Sequence, residues 1–172
     1  MLETKRLILR KPEVSDAADM LDIRNSEFVL KYNCLKKISL EEMIQDIYQA
    51  ENQYYLVEKT DKKVIGAVFI EPDSLRYQIN SCTISYFLKE EYTHKGYMHE
   101  AMQAVIDDLF STGLEVISCR VFKENTASLR LAETLGFTQE GIIRRGVRAY
   151  GDVVYDDVIF SLLKEEYIKN QY

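Results

Sequence analysis

An α/β (α+β) fold, a mixed central sheet of about seven strands flanked by about four helices, is what this 172-residue chain predicts. Three observations carry that expectation. Short runs rich in Val, Ile, Tyr and Phe alternate with stretches whose apolar residues recur at helical spacing. Two strand-to-helix junctions stand about thirty residues apart, one at Thr93 to Met102 and one at Lys123 to Phe137. The resulting order, β-α-α-β-β-β-α-β-α-β-β, places a parallel crossover in its second half.

Thr4 to Arg10 alternates as a strand and Pro12 closes it. Glu13 to Arg24 carries Val14, Ala17, Ala18 and Leu21 at helical spacing. Ser39 followed by Glu42 forms a capping box for a helix running to Ala50. Gln53 to Lys59 and Val64 to Ile70 read as paired strands around the turn Asp61-Lys62-Lys63, and Gly66 marks a bulge or a close backbone approach. Tyr77 to Leu88 is a long strand. From Gly96 to Phe110, the side chains Met98, Ala101, Met102, Val105, Ile106 and Leu109 make one apolar stripe, so this helix packs on a sheet; Gly113 ends it. Glu115 to Phe122 is the next strand. A helix follows from Thr126 to Leu135, with Asn125 as N-cap and Gly136 just past its end. Phe137 to Arg148 and Val153 to Leu163 close the chain as strands turned at Tyr150-Gly151-Asp152.

The bulk numbers set limits. The length fits one domain spanning residues 1–172, and 47% hydrophobic content supports a core. A net charge of −6 argues against a nucleic-acid footprint. The longest apolar run, Val64 to Ile70, is too short to cross a membrane. The charged N-terminus is not a signal peptide. Cys34, Cys82 and Cys119 show no framework spacing, which points to a reducing, cytoplasmic setting. His94 and His99, five residues apart, do not share a helix face, so no metal site is expected.

The two junctions carry the chemistry. A glycine where a strand turns into a helix offers free N–H groups and the positive end of a helix dipole to an anion. Thr93-His94-Lys95-Gly96-Tyr97-Met98 has that form, and Asn125 and Ser128 at the second junction supply polar groups beside the anion's reactive end. The pattern suits a phosphate-bearing acyl carrier. The segments T-K-R-L-I-L-R-K-P, I-S-Y-F-L, K-G-Y, E-N-T-A-S…L-G-F, E-G-I-I-R, and Asp157 with S-L-L together resemble the GNAT superfamily of acetyl-CoA-dependent N-acetyltransferases, in the branch holding ribosomal-protein N-terminal acetyltransferases.

The resemblance implies a GNAT fold and acetyl-CoA as cosubstrate. Its pantetheine arm would enter between splayed strand ends, Tyr86-Phe87-Leu88 and Arg120-Val121-Phe122, and pair like an added strand. Its diphosphate would rest on Thr93, His94, Lys95, Gly96, Tyr97 and Met98, with Asn125 and Ser128 near the thioester. The N–H near Leu88 would serve the oxyanion and Ser128 the departing thiolate, although a first-turn serine also bonds its own backbone. This chain departs from the family pattern at Thr93, which replaces Gln or Arg, at Met98, which replaces a small residue, and at Thr83, which stands where relatives carry Glu. Asp156, Asp157 and Glu140 are left as water-mediated bases, each otherwise read as a solvated or turn-facing charge. Arg144, Arg145 and Arg148 form a basic patch, read as a solvated strand face or as a contact for an acidic substrate.

Without an obvious base, a weakly basic acceptor is favoured. An α-amine with a pKa of about 7.7–8.0 is about 10% neutral at pH 7, whereas a lysine-like amine is below about 0.1% neutral. Acceptors of two kinds stay open: a peptide N-terminus, or a small amine such as a polyamine or aminoglycoside. So does a non-catalytic acyl-CoA-binding module, and the exposed late strands leave a homodimer open. A dinucleotide-binding domain is disfavoured because no G-x-G-x-x-G follows the first strand.

Overall fold

The computed structural model describes residues 1–169. The strands are β1 (Leu2–Glu3), β2 (Leu7–Arg10), β3 (Gln53–Glu58), β4 (Val64–Pro72), β5 (Ser81–Leu88), β6 (Val116–Phe122), β7 (Thr138–Arg148) and β8 (Val154–Leu163). The helices are α1 (Ala17–Arg24), α2 (Glu27–Lys31), α3 (Leu40–Tyr48), α4 (Tyr97–Ser111), α5 (Thr126–Thr134) and α6 (Lys164–Lys169). The strands form one mixed sheet in the order β1-β2-β3-β4-β5-β6-β8-β7, parallel only between β5 and β6.

The expected strand and helix numbers need correcting. The sheet among the described residues has eight strands because Thr4 turns the chain, its N–H bonding Leu7 O, and lets Leu2 pair with Leu9. Two short helices add to the expected four. Ser26 caps α2 by accepting from Val29 N–H, and α6 turns Tyr167 back onto the core. The strand expected from Tyr77 starts only at Ser81. Asp73 instead accepts from Leu75 N–H and pairs with Arg76, which folds the preceding segment into a loop.

Local signals elsewhere act as read. Ser39 and Glu42 close a reciprocal capping box on α3. α5 ends in a Schellman motif: Gly136 has φ 87°, its N–H bonds Glu133 O, and Phe137 N–H bonds Ala132 O. Gly66 is a close approach, since a Cβ there would lie 2.4 Å from Phe87 O. Opposite it the β3–β4 register shifts between Leu56 and Val57.

Apolar side chains fill both faces of the sheet. On one face Met98, Ala101, Met102, Val105 and Ile106 of α4 pack on Leu56, Val68, Ile84 and Phe160. On the other, Met20 and Ile23 of α1 with Met43 and Ile47 of α3 pack on Tyr55, Val57, Ala67 and Phe87.

Candidate active site

β5 and β6 pair from Ser81↔Val116 to Ile84↔Cys119 and then part, although β5 continues to Leu88 and β6 to Phe122. The outer edge of each strand stays bound, β5 to β4 and β6 to β8. Lys89 N–H bonds Ile65 O at 2.7 Å. Main-chain groups alternate sides along a strand, so those of Leu88 and Tyr86 face away from β4, into the opening.

This opening is part of a cleft of about 560 Å³. Phe28, Val29, Tyr32 and Asn33 wall it on one side, and residues from Glu124 to Thr134 on the other. A larger hollow of about 740 Å³ lies between α1 and the turn after β5, but none of the sequence-predicted site residues borders it.

The N-terminus of α4 opens onto the cleft. Gly96 sits at its N-cap with φ 77°, a left-handed conformation that glycine adopts at little cost. No side chain caps this end, and among the described residues Gly96, Tyr97, Met98 and His99 N–H carry no hydrogen bond. A helix start with free N–H groups is an anion site by geometry and dipole. The Met98 side chain is buried among the core residues, and Met98 also borders the cleft.

The second junction supplies side chains. Asn125 caps α5, its Oδ1 accepting from Ser128 N–H at 3.2 Å. The Ser128 hydroxyl makes no bond to its own helix backbone among the described residues. It stands beside the Tyr86 hydroxyl, which is buried and closes no full hydrogen bond. Burial, with the Cys119 thiol nearby, pushes the Tyr86 phenol up, and Ser128 only partly offsets it. Burial also raises Cys119, to about 12. Both groups are therefore neutral at ordinary pH.

Of the residues expected at the site, the cleft gathers Tyr86, Phe87, Leu88, Thr93, His94, Gly96, Tyr97, Met98, Asn125 and Ser128. Two are corrected. The Val121 side chain lies in the core, because its position on β6 points it toward the α4 face. Lys95 turns its side chain toward the Tyr92 ring and its carbonyl toward Arg6. The cleft also takes in Arg130, which the sequence reading missed, and Phe28 and Val29 of α2, which stand beside Tyr32 and Asn33 in the segment between the first two expected helices. Ser26 ahead of an apolar run was the available signal for α2; none marked Arg130.

The carboxylates sort differently than expected. Asp157 is not a solvated charge: it is 1% exposed and paired with Arg120 across the strands, with Oδ1 left without a partner. Asp156 stays near the surface, where Arg145 N–H and Lys123 hold it below the usual carboxylate range. Glu140 contacts Ser161 Oγ and Arg76. Arg144, Arg145 and Arg148 stand exposed on the edge strand β7. Tyr32 packs against Phe122 and Tyr155 and donates to Glu124 O at 3.3 Å, tying the loop after α2 to the second junction.

A family model described as an acetyltransferase (GNAT) domain matches residues 6–138. The chain is 31% identical over 176 residues to the uncharacterized N-acetyltransferase p20 of Bacillus licheniformis, covering 96% of this chain and 97% of that one. Its fold is similar to that of the ribosomal-protein-S5-alanine acetyltransferase of Vibrio fischeri, with a TM-score of 0.84 at 22% identity over 96% of this chain and 97% of that one. It is also similar to Mycobacterium smegmatis RimJ in complex with CoA-disulfide, with a TM-score of 0.77 at 20% identity over 93% of this chain and 83% of that one.

Proposed function

This chain belongs to the GNAT acetyltransferase family, and we propose that it transfers the acetyl group of acetyl-CoA to a primary amine, with a protein N-terminal α-amine as the favoured acceptor. The observation that carries the reading is the parting of β5 from β6 beside the uncapped start of α4. That pairing of features suits a long ligand with an anionic middle and a strand-like arm. The donor fits on three counts. The Gly96 turn presents free N–H groups, the β5 edge carries main-chain groups without a strand partner, and the Tyr86 hydroxyl is buried without a hydrogen bond.

When bound, acetyl-CoA supplies a thioester activated for attack by a neutral amine. The chain's own groups then have distinct tasks. Gly96, Tyr97 and Met98 N–H hold the diphosphate. The Asn125 amide nitrogen, left over from capping, donates to the arm. The Leu88 N–H faces the opening and stabilises the negative charge that develops on the carbonyl oxygen. Ser128, with Tyr86 behind it, donates a hydrogen bond to the departing sulfur. A thiol of pKa near 8.5 needs little more help than that. The acceptor's proton passes to water, and the one carboxylate bordering the cleft among the described residues, that of Glu124, carries no ion pair and stands at the exposed rim.

An acceptor partly neutral at pH 7 needs little help from a base, and a peptide α-amine is such an acceptor. The fold likeness to a ribosomal-protein acetyltransferase supports the same direction. The test is free-thiol release from acetyl-CoA with N-terminal peptides, spermidine and an aminoglycoside as acceptors. Turnover with peptides is expected. Calorimetric binding of CoA with no thiol release from any amine overturns the transferase reading.

A further inference from the structure

The Gly96 turn is braced from outside by a residue far away in sequence. Arg6 stands just before β2, and its guanidinium Nη1 donates to Lys95 O at 2.8 Å. Its Nε donates to Glu100 Oε2 at 2.6 Å and its backbone N–H to Glu100 Oε1 at 2.7 Å. Thr4 Oγ1 adds a third bond to Glu100, at 2.6 Å. The same guanidinium lies 4.1 Å from the centre of the Tyr97 ring. One cation thus touches the residue before the turn and the first helical residue after it, and it is anchored one helical turn further on.

The bond to Lys95 O has a directional consequence. That carbonyl and the Gly96 N–H belong to one planar trans peptide, in which they point opposite ways. Holding the oxygen against Arg6 turns the N–H away from Arg6, on the side where Gly96 borders the cleft. The restraint matters because glycine resists rotation of this plane weakly. A flipped peptide would present a carbonyl oxygen to an anion.

Resting on the acetyl-CoA reading above, we propose that Arg6 is a positioning residue for the diphosphate site: it fixes the orientation of the Lys95–Gly96 peptide and so sets affinity for donors that carry a diphosphate. The role is orientation, since Arg6 does not line the cleft.

The test compares two acyl donors, acetyl-CoA and S-acetyl-N-acetylcysteamine, which has the thioester but no diphosphate. Two variants are used. Arg6→Lys keeps the charge but lacks the planar fork that reaches Lys95 O and Glu100 from two separate nitrogens. The double variant Arg6→Met with Glu100→Gln leaves no unpaired carboxylate behind. In the double variant, the ratio of kcat/KM for acetyl-CoA to that for the short donor is expected to fall by about tenfold, through KM for acetyl-CoA. The fall should be smaller in Arg6→Lys. Equal losses with both donors, which general structural damage would give, overturn the proposal, as does an unchanged ratio. Calorimetry of CoA with the wild-type protein separates the two levels. No binding there removes the donor assignment itself, whereas normal binding with an unchanged ratio removes only the role of Arg6.

Discussion

Asn125 divides its side chain between structure and ligand. The amide oxygen caps α5, and the amide nitrogen is free of protein partners among the described residues. The two uses separate by substitution. Asn125→Ala should lower stability by about 1 kcal/mol in urea unfolding and also weaken acetyl-CoA binding. Asn125→Ser keeps a capping oxygen, so stability should stay within a few tenths of a kcal/mol while binding still weakens. The Tyr86 and Ser128 pair gives a second split. Tyr86→Phe removes a buried hydroxyl that closes no hydrogen bond, so stability should hold or rise by up to about 1 kcal/mol, while turnover falls. Ser128→Ala should lower kcat by about tenfold with little change in acetyl-CoA affinity. Steady-state kinetics beside thermal unfolding reads both.

At the scale of elements, β4 and β5 touch backbone to backbone at Gly66. A Cβ there would meet Phe87 O at 2.4 Å and Leu88 Cα at 3.0 Å, so neither neighbour can swing away as a side-chain tip could. Gly66→Ala should cost about 1–3 kcal/mol in urea unfolding. It should also disturb Leu88, whose N–H faces the opening. The same scale decides what the sequence could announce. Capping signals are local chemistry, so Ser39 with Glu42 and Asn125 with Gly136 marked α3 and α5 directly. Tyr77 and Ile79 alternate like a strand yet sit exposed in a loop, because Asp73 and Arg76 bond across to Ser118 on β6. The K-G-Y turn and the N-T-A-S helix start located most of the cleft. The Arg6 brace and the Asp157–Arg120 pair join residues distant in sequence, and no local spacing encodes such contacts.

For the whole molecule, acid should loosen the first strands from α4. Burial alone would raise the Glu100 carboxyl; hydrogen bonds from Thr4 and from the Arg6 backbone and guanidinium outweigh it and hold the group below its ordinary 4.5. A depressed carboxylate contributes stability that is fully present above its unfolded pKa and is lost as pH falls through the folded value. The stability gap between wild type and Glu100→Gln should therefore be full at about pH 6 and shrink steadily below about pH 4.5. Urea midpoints across that range check the sign; a gap that widens in acid would contradict it.

The seam between β5 and β6 holds by four residue pairs, Ser81↔Val116 through Ile84↔Cys119, and everything beyond it is wedge. A donor lying in that wedge would knit the two halves of the sheet into one continuous ribbon. Saturating CoA should then lift the melting temperature in proportion to the logarithm of its concentration. It should also slow amide exchange in β4 and β8, strands that never touch the ligand, as the whole sheet stiffens around its filled gap.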